Sequence, residues 1–583
     1  MQPASFAGGV PDTADTLTDA VRHLAGWDET GITFYRSAQE QNFLSFAEIH
    51  KAAQCRARRL LGDGVRKGDR VALVLLREDE IILEFLGAVL IGGVPVIVNP
   101  RHAIDSERGA SGALAAILAD CRPRLGVVSA SLRRAVEGVS PPGCVASGFA
   151  WREPVPSDDV DESPTDQGLA GPAIGPDDLC FLQYTSGSTG TPRGVMVTHR
   201  NLMINAEACA RMGEAGHPEV SHRLVSWLPL YHDMGLVGFF VAPLLRRAAS
   251  TLFSPTLFAR RPSIWLELLH ETGADVTGAP NFAFSFVLRR LKGVDPRRYD
   301  LRRLRVLFCG GEPIQAAAVQ AFAEWLAPSG LDRRCFLPCY GLAETTLAAT
   351  FPAPLTALRT DVVSRARLRE HAAAPAAAGE AEVVLVSCGR PIPEHRVEIV
   401  DSTGAVAAER HVGEVRVAGP SVTPGYFDEL GAAPAASGER WLYTGDLGYL
   451  AGGELYICGR IKDLIIIRGV NHYPQDLEWT VERIRDLRGR TVAAIATSRG
   501  GEEGTTIIVE CPPGDIAGQA EIEAAIGSAI LRAHGIVPQD IRLVPLGSLP
   551  LTSSGKIRRG QAKAMYEAGL FAPIARLPEV AGN

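Results

Sequence analysis

The sequence lacks a strong charge of either sign. Its formal net charge is −7 over 583 residues, which is small for this length, and 21% of its residues are charged. Arginine-rich pieces such as Arg297-Arg298 and Arg302-Arg303 are short and indicate a solvated face. Because nucleic-acid-binding proteins concentrate basic residues in a patch or stripe, no nucleic-acid partner is expected.

Long hydrophobic runs are also missing. The longest, Ile81 to Val98, contains Glu84 and is broken by Gly92-Gly93 and Pro95. It therefore predicts a buried helix followed by a buried strand rather than a membrane span. The N-terminus, Met1 to Thr16, is polar and lacks the apolar core of a secretory signal. No transmembrane segment is expected, and the cytoplasm is the expected location.

The cysteines are not arranged for disulfides or metal binding. Eleven are scattered along the chain without paired spacing. Cys335 and Cys339 come closest to a pair, but no second pair or histidine cluster completes a zinc site. Free thiols in a reducing compartment are the expected state.

What the sequence does contain is an alternation of helical and strand patterns. A helix is predicted over Phe46 to Leu61 and another over Glu80 to Leu90, with the strand Arg70 to Leu75 between them. Such alternation is typical of doubly wound α/β layers with parallel strands. A chain this long exceeds one hydrophobic core, so two to four domains or subdomains are expected.

The predicted secondary-structure pattern changes twice further along the chain. Short, turn-separated strands around Gly413 to Val417 and Gly453 to Cys458 predict a β-rich subdomain. Beyond Arg460, hairpin strands and the helix Glu521 to Ala533 predict a compact α+β domain of roughly 120 residues. The segment from about 351 to 381 carries an Ala/Pro run and no periodicity, and we expect it to be irregular.

A short apolar strand, Leu179 to Tyr184, leads into a loop of small hydroxyl and glycine residues. Backbone N–H groups in such a loop can approach an anion closely, its hydroxyls add donors, and Arg193 adds a fixed cation. The spacing is not that of the Walker A motif. Taken alone, the loop is more typical of a plain flexible connection than of an anion-binding site. Its residues are Thr185, Ser186, Gly187, Ser188, Thr189 and Gly190.

The full string from Tyr184 to Gly194, YTSGSTGTPRG, closely resembles the phosphate loop of the adenylate-forming superfamily of acyl-CoA ligases, carrier-protein adenylation domains and luciferases. In that family the position of Arg193 is usually lysine. Arginine keeps the charge but differs in shape and hydration, so this position is a departure from the pattern.

Further motifs resemble the same family in the expected order, and the resemblance covers nearly the whole chain. It implies that the GGEP loop, Gly310 to Pro313, lies along adenine, that Tyr340 stacks on it, that Glu344 holds Mg²⁺, that Asp446 binds the ribose hydroxyls and that Lys556 is catalytic. In isolation, Glu344, Asp446 and Lys556 each have a simpler interpretation as a surface charge or turn residue. Other matched positions are Gly311, Glu312, Pro313, Gly341, Arg460 and the hinge residue Lys462.

By this resemblance, residues 1–460 form a large adenylation domain and residues 461–583 a small mobile one that follows the hinge. The implied reaction joins a substrate carboxylate to the α-phosphorus of ATP with release of pyrophosphate. Both reactants are anionic, so Mg²⁺, the phosphate loop, Arg193 and Lys556 are expected to offset repulsion and align the groups.

The string Ser226 to Leu236, SWLPLYHDMGL, resembles one branch in particular, the fatty acyl-AMP ligases. The string Arg468 to Glu478 resembles that branch too, and the segment 351–381 lies where it carries an insertion associated with poor use of CoA. The branch implies a fatty acid substrate and a holo acyl carrier protein acting in trans. Its pocket is expected to include His232, Asp233, Met234 and Gly235.

Two alternatives stay open. One is a fatty acyl-CoA ligase, which shares the first half-reaction and differs in the acceptor. The other is a catalytically silent adenylate-binding protein, against which the intact Glu344, Asp446, Arg460 and Lys556 argue.

Overall fold

The structure is a computed structural model that describes residues 14–107, 112–139, 149–156, 173–185, 192–215, 222–427, 440–499, 502–512, 519–552 and 555–571.

Two largely parallel sheets form the frame of the N-terminal part. In spatial order the seven-stranded sheet contains Phe336–Pro338, Val306–Cys309, Val276–Ala279, Arg223–Ser226, Ala249–Phe253, Gly31–Tyr35 and Gln41–Ser45. The six-stranded sheet contains Trp151–Arg152, Leu125–Val128, Arg70–Val74, Val94–Ile97, Leu179–Thr185 and Arg193–Thr198. In each sheet the last-named strand is antiparallel to its neighbour.

Helices pack on these sheets and bury the apolar faces that the sequence predicts. The predicted helices are confirmed as Phe46–Gly62 and Glu78–Leu90, the first started by a capping box between Ser45 and Glu48. The other helices of the N-terminal part are Leu17–Arg22, Arg101–Glu107, Ala113–Cys121, Arg133–Val136, His199–Gly213, Ala242–Leu245, Pro255–Arg260, Ser263–Thr272, Phe282–Arg290, Ala316–Leu326, Arg365–Arg369 and the π-helix Met234–Val241.

A β-rich region follows, as predicted. Its four-stranded antiparallel sheet contains Arg396–Val400, Gly413–Ala418, Leu442–Ala451 and Glu454–Arg460. Smaller sheets pair Tyr340–Gly341 with Ala348–Phe351 and Arg390–Pro391, and Thr360–Ser364 with Glu382–Val386.

The segment 351–381 is not irregular, which corrects the prediction from its composition. It contains the strand Thr360–Ser364 and the short helix Arg365–Arg369. Val363 and Leu368 are buried in the same apolar cluster as Tyr449 of the four-stranded sheet. Tertiary packing and strand pairing therefore order a stretch whose sequence shows no period.

The C-terminal part has its own α+β core. A hairpin of Ile465–Ile467 and Val470–His472 precedes the three-stranded sheet of Val492–Arg499, Glu502–Cys511 and Asp540–Pro545. The helices Pro474–Glu482, Gln519–His534 and Arg559–Glu567 cover this sheet. The predicted fold class is thus confirmed: an α/β chain with a large N-terminal domain and a small C-terminal domain.

The hydrophobic run that the sequence assigns to the interior is buried. Residues 81–91 and Val94 to Val98 form a covered helix and strand. Within the described ranges, no helix is long and apolar enough to cross a membrane. Ten cysteines are described, none of them in a disulfide, and no group of three metal-ligating side chains occurs among the described residues.

Parallel strands end together at one edge of the seven-stranded sheet. Strand Val306–Cys309 ends just before Gly310, strand Phe336–Pro338 ends before Tyr340, and strand Val276–Ala279 ends before Asn281. Loops at the carboxyl edge of such a sheet are where α/β proteins bind ligands.

Candidate functional site

A cavity of about 1940 Å³ lies at this carboxyl edge, between the large and the small domain. Residues that lie far apart in the sequence line it together. Those that the sequence analysis named are Thr185, Arg193, His232, Asp233, Met234, Gly311, Glu312, Pro313, Tyr340, Gly341, Glu344, Asp446, Arg460, Lys462 and Lys556.

The base of the proposed phosphate loop is part of this wall. Thr185 ends one strand and pairs directly with Arg193, which begins the next. The loop is therefore held at both ends by one antiparallel hairpin. The residues between them that were predicted to bind phosphate, Ser186, Gly187, Ser188, Thr189 and Gly190, lie outside the described residues.

The guanidinium of Arg193 stacks on an aromatic ring. Its Cζ lies 3.5 Å from the ring centroid of Tyr426, within the range of a cation–π contact. The hydroxyl of Tyr426 in turn donates a hydrogen bond of 2.5 Å to Oε1 of Glu344. One tyrosine thus joins the cation beside the loop to the carboxylate expected to hold Mg²⁺.

The backbone around Glu344 is constrained. Glu344 occupies the single 3₁₀ turn Ala343–Thr345, and the following Thr346 has a φ of 73°. A β-branched residue rarely adopts this left-handed conformation, which costs on the order of 1–3 kcal/mol. Its hydroxyl donates to the carbonyl of Ser421 at 2.8 Å, which helps to hold the turn.

Asp446 is buried, with 4% of its surface exposed. Its Oδ2 accepts from the Tyr340 hydroxyl and its Oδ1 from Nε of Arg460, both at 2.8 Å. Burial raises the pKa of Tyr340 well above its usual value, and the adjacent carboxylate adds to this effect, so the phenol stays protonated and can donate. These two donors fix the carboxylate on the cavity wall.

Lys556 reaches this wall from the small domain. A Cβ built on Gly311 would lie 3.9 Å from its Nζ, so the ammonium lies close to the GGEP loop. Burial lowers the pKa of Lys556, and the nearby Arg460 lowers it further, against the carboxylates of Asp233, Glu312 and Asp446. The cation is therefore surrounded by charges of both signs inside the cavity.

The loop that carries Lys556 rests on one aromatic ring. Gly555 has a φ of +84°, and a Cβ at that position would lie 2.8 Å from Phe282. Both the conformation and the contact favour glycine. The backbone N–H of Phe282 donates to Glu312 at 2.6 Å, and burial raises the pKa of Glu312 to about 7.

His232 and Asp233 form a close pair that also lines the cavity. Nδ1 of His232 lies 2.5 Å from Oδ1 of Asp233. Burial raises the pKa of Asp233, but His232, Lys556 and the Met234 N–H outweigh it, and the net pKa is lowered. Asp233 is thus a fixed negative charge facing Lys556.

Gly235, predicted as a pocket residue, does not line the cavity. A Cβ there would lie 2.2 Å from the carbonyl oxygen of Pro229, so glycine is required by close backbone packing. Gly235 therefore packs behind the residues that line the cavity.

Part of the cavity wall is apolar. It includes Phe239, Phe308 and Phe351, whose rings contact one another in sequence with centroids 5.9 and 5.7 Å apart. Gly238 of the π-helix and Leu347 also line it and pack closely, since a Cβ built on Gly238 would lie 3.1 Å from Leu347. An apolar chain attached to a carboxylate near Lys556 has a place to lie here.

The ordered segment 351–381 contacts the small domain on another side of the molecule. Arg365 forms a two-pronged ion pair with Asp476 at 2.7 and 3.1 Å, with both side chains largely buried. Arg365 also donates to the carbonyl of Ala533, and Arg369 donates to that of His534. We call these contacts the insertion contact.

Sequence reasoning missed several of these residues. Tyr426 lies outside the named helices and strands, Phe282 belongs to an ordinary amphipathic helix, and Arg365 and Asp476 lie 111 positions apart. The one available signal for Tyr426 was its place in a Gly-Tyr-Phe string between two stretches rich in small residues. Contacts over such separations carry no periodic pattern.

Comparison with known proteins identifies the relatives of the chain. The sequence profile described as AMP-binding enzyme matches residues 25–427, and that described as Disco-interacting protein 2-like, AMP domain, matches residues 462–574. A Mycobacterium marinum protein named long-chain-fatty-acid–AMP ligase FadD26 is 35% identical, with 93% of this chain and 95% of that protein covered.

Solved structures agree over nearly the full length. One from work on the fatty acyl-adenylate ligases of E. coli and L. pneumophila is 33% identical with a TM-score of 0.82, covering 95% of this chain and 98% of that one. A fatty acyl-adenylate ligase from L. pneumophila, in complex with acyl adenylate and pyrophosphate, is 28% identical with a TM-score of 0.70, covering 97% and 98%.

Proposed function

Since this chain belongs to the AMP-binding enzyme family and is a ligase, we propose that it activates a fatty acid as acyl-AMP and passes the acyl group to the phosphopantetheine thiol of a separate carrier protein. The observation that carries the first step is the meeting of Lys556, Asp446 and Glu344 in one cavity whose wall is also partly apolar. The carrier acceptor is argued separately below.

The cavity wall has separate groups to bind the ribose and the phosphates of ATP. Asp446, held by Tyr340 and Arg460, is placed to accept hydrogen bonds from the ribose hydroxyls of ATP. Thr185 and Arg193 mark the side on which the β- and γ-phosphates bind. With the nucleotide fixed at both ends, a carboxylate can approach the α-phosphorus in line with the departing pyrophosphate.

Lys556 stabilises the charge that develops during this attack. Its ammonium lies near Gly311 and opposite Asp233, where it can contact both the incoming carboxylate and the α-phosphate oxygens. Electrostatic stabilisation by a preorganised donor in a partly desolvated cavity is a large source of rate enhancement. His232 lines the pocket, and we assign it no proton-transfer role.

The donor set fits Mg²⁺ that arrives with the nucleotide. Glu344 supplies a carboxylate, and no cluster of three metal-ligating residues lies among the described residues to bind an ion by itself. Mg²⁺ commonly binds through one or two carboxylates plus waters and substrate phosphates. When bound, it neutralises phosphate oxygens. The protein's part is to orient Glu344 toward the metal ion and Arg193 toward the phosphates.

The insertion contact supports a carrier protein rather than CoA as the acceptor. In our proposal the small domain, residues 461–583, turns about Lys462 after adenylation so that a thiol can reach the acyl-AMP. Any such turn must break the buried pair of Arg365 and Asp476, because one partner belongs to each domain. A carrier protein can offset this cost through its own docking surface, whereas CoA offers fewer contacts.

Exchange of pyrophosphate into ATP tests the first step. We expect exchange that depends on added fatty acid, with octanoate, dodecanoate and hexadecanoate compared in parallel. Failure of every acid to support exchange would favour the catalytically silent alternative.

The acceptor is tested by supplying a preformed mixture of ATP, Mg²⁺ and fatty acid with either CoA or a holo acyl carrier protein. We expect acyl-carrier formation and little acyl-CoA. Efficient acyl-CoA formation would instead support the fatty acyl-CoA ligase alternative. An apo carrier protein, which lacks the thiol, is the matched control.

A further inference from the structure

Tyr426 lies between two groups that the proposed function places on the same nucleotide. Its ring carries the Arg193 guanidinium at 3.5 Å, and its hydroxyl lies 2.5 Å from Oε1 of Glu344. It also lines the cavity itself. We propose that Tyr426 is a positioning residue, which orients Glu344 toward the metal ion of the nucleotide and Arg193 toward its phosphates. This inference rests on the proposed function of the site.

The backbone fixes Tyr426 in this place. Val195 and Tyr426 form an antiparallel bridge. On either side of it, the Met196 N–H donates to Gly425 O and the Phe427 N–H donates to Gly194 O, each at 2.9 Å. The segment is therefore registered on the strand that begins with Arg193.

The same segment is bound to the turn that carries Glu344. The N–H of Thr423 donates to the carbonyl of Glu344 at 2.9 Å. Backbone hydrogen bonds thus tie the segment 423–427 both to the strand after the phosphate loop and to the turn of the carboxylate. Tyr426 is the side chain of this segment that contacts a functional group on each of the two.

A tyrosine hydroxyl suits this task because it is neutral. It can hold one carboxylate oxygen in place without cancelling the charge, as an arginine or lysine partner would. Within the part of the chain that the structure describes, no residue donates a hydrogen bond to the other oxygen, Oε2. A carboxylate held by one oxygen keeps the second available for a hard cation.

The stack also gives a physical reason for arginine at position 193. A guanidinium is planar, weakly hydrated and stacks on aromatic faces, whereas an ammonium does so less well. A cation on the ring face withdraws electron density from the phenol and strengthens its O–H as a donor. The departure from the usual lysine and the presence of Tyr426 are then two parts of one arrangement.

Two substitutions separate the hydroxyl from the ring. Tyr426→Phe keeps the surface on which Arg193 stacks and removes the hydrogen bond to Glu344, whereas Tyr426→Leu removes both. Tyr566→Phe is a matched control, because Tyr566 donates a similar bond of 2.7 Å to Asp540 away from the cavity. Melting temperatures of all three report whether the fold is kept.

The first readout needs no turnover. Binding of Mn²⁺ with ATP, followed by electron paramagnetic resonance, should weaken by about tenfold in Tyr426→Phe, the usual scale for losing a hydrogen bond to a charged group. Binding of ATP in EDTA should be unchanged in Tyr426→Phe and weakened in Tyr426→Leu. The Tyr566→Phe variant should match the wild type in both.

The second readout is the Mg²⁺ concentration that half-saturates pyrophosphate exchange, which should rise in both Tyr426 variants. If Mn²⁺–ATP binding and the Mg²⁺ requirement equal those of Tyr566→Phe, the positioning role is refuted. Loss of thermal stability with an unchanged Mg²⁺ requirement would likewise reduce Tyr426 to a packing residue. A wild type without exchange would overturn the proposed function, while Mn²⁺–ATP binding would still decide the role of Tyr426.

Discussion

Two of the contacts that join the small domain to the large one are built differently. The lysine-loop contact places Gly555 on the ring of Phe282 and Lys556 beside Gly311. It rests on van der Waals packing and on charges within the cavity. The insertion contact instead uses a buried, two-pronged ion pair between Arg365 and Asp476 with further hydrogen bonds to backbone carbonyls.

The difference between the two contacts suits them to different steps, the adenylation reaction and the choice of acyl acceptor. A contact made by one glycine and one ring can open at small cost, which suits the withdrawal of Lys556 that the proposed second step requires. A buried ion pair resists opening, because separating its partners leaves charges without compensation. We infer that the lysine-loop contact sets the rate of adenylation, and that the insertion contact limits which acceptor gains access afterwards.

The largest effect on activity is expected when Lys556 is replaced. Lys556→Ala should lower fatty-acid-dependent pyrophosphate exchange by on the order of 10²–10³-fold or more, because a preorganised donor to the transition state is lost. ATP binding, measured by calorimetry, should stay largely intact. Lys563→Ala, which removes a surface lysine near Glu567, is the control and should be silent. Exchange at the wild-type rate in Lys556→Ala would refute the role.

The next effect is on the insertion contact. Asp476→Ala leaves Arg365 buried without its partner, and breaking a buried pair in this way typically destabilises a protein by about 3–5 kcal/mol. We expect a lower midpoint in urea unfolding. Acyl-CoA formation should rise by on the order of tenfold, the change that 1.4 kcal/mol produces.

The exposed ion pair of Arg297 with Asp295 serves as the control for Asp476→Ala. Arg297→Ala should alter neither the unfolding midpoint nor the choice of acceptor. If Asp476→Ala is destabilised but makes no more acyl-CoA than the wild type, the insertion contact stabilises the fold without restricting the acceptor.

A smaller effect is expected from pH at the domain junction. Burial raises the pKa of Glu482 in the small domain to about 7, with a further increase from Glu478, against a hydrogen bond with Gln315. Because the folded state holds this proton more tightly than the unfolded chain, the contribution of Glu482 to stability falls as pH rises from about 4.5 to about 7.

Glu482→Gln mimics the protonated form and removes the titration. Its melting temperature should equal that of the wild type near pH 4.5 and exceed it increasingly up to pH 7.5. A difference between the two proteins that does not vary with pH would contradict the assignment.

Much of the fold could be predicted from the sequence, since it is encoded in local patterns. The helix Phe46–Gly62 has a capping box and an apolar face, and the strand Arg70–Val74 is a continuous apolar run. Many residues of the candidate site were predictable through strings such as Ser226 to Leu236, because such strings keep their order along the chain.

The rest depends on contacts between distant segments. Arg365 lies in a stretch without period, and its partner is in another domain, so neither the helix that carries it nor the ion pair has a local signature. Tyr426 owes its role to a bridge with Val195, more than 200 residues earlier. Gly235 matched a pocket motif, yet its space is taken by the carbonyl of Pro229.

Mass spectrometry of a single turnover tests the activation of a fatty acid most directly. The protein would be mixed with ATP, Mg²⁺ and dodecanoate without any acceptor thiol, then quenched with acid. The account predicts dodecanoyl-AMP and pyrophosphate in equal amounts, up to one per protein. Formation of ADP and phosphate, or AMP without an acylated nucleotide at any time, would contradict it.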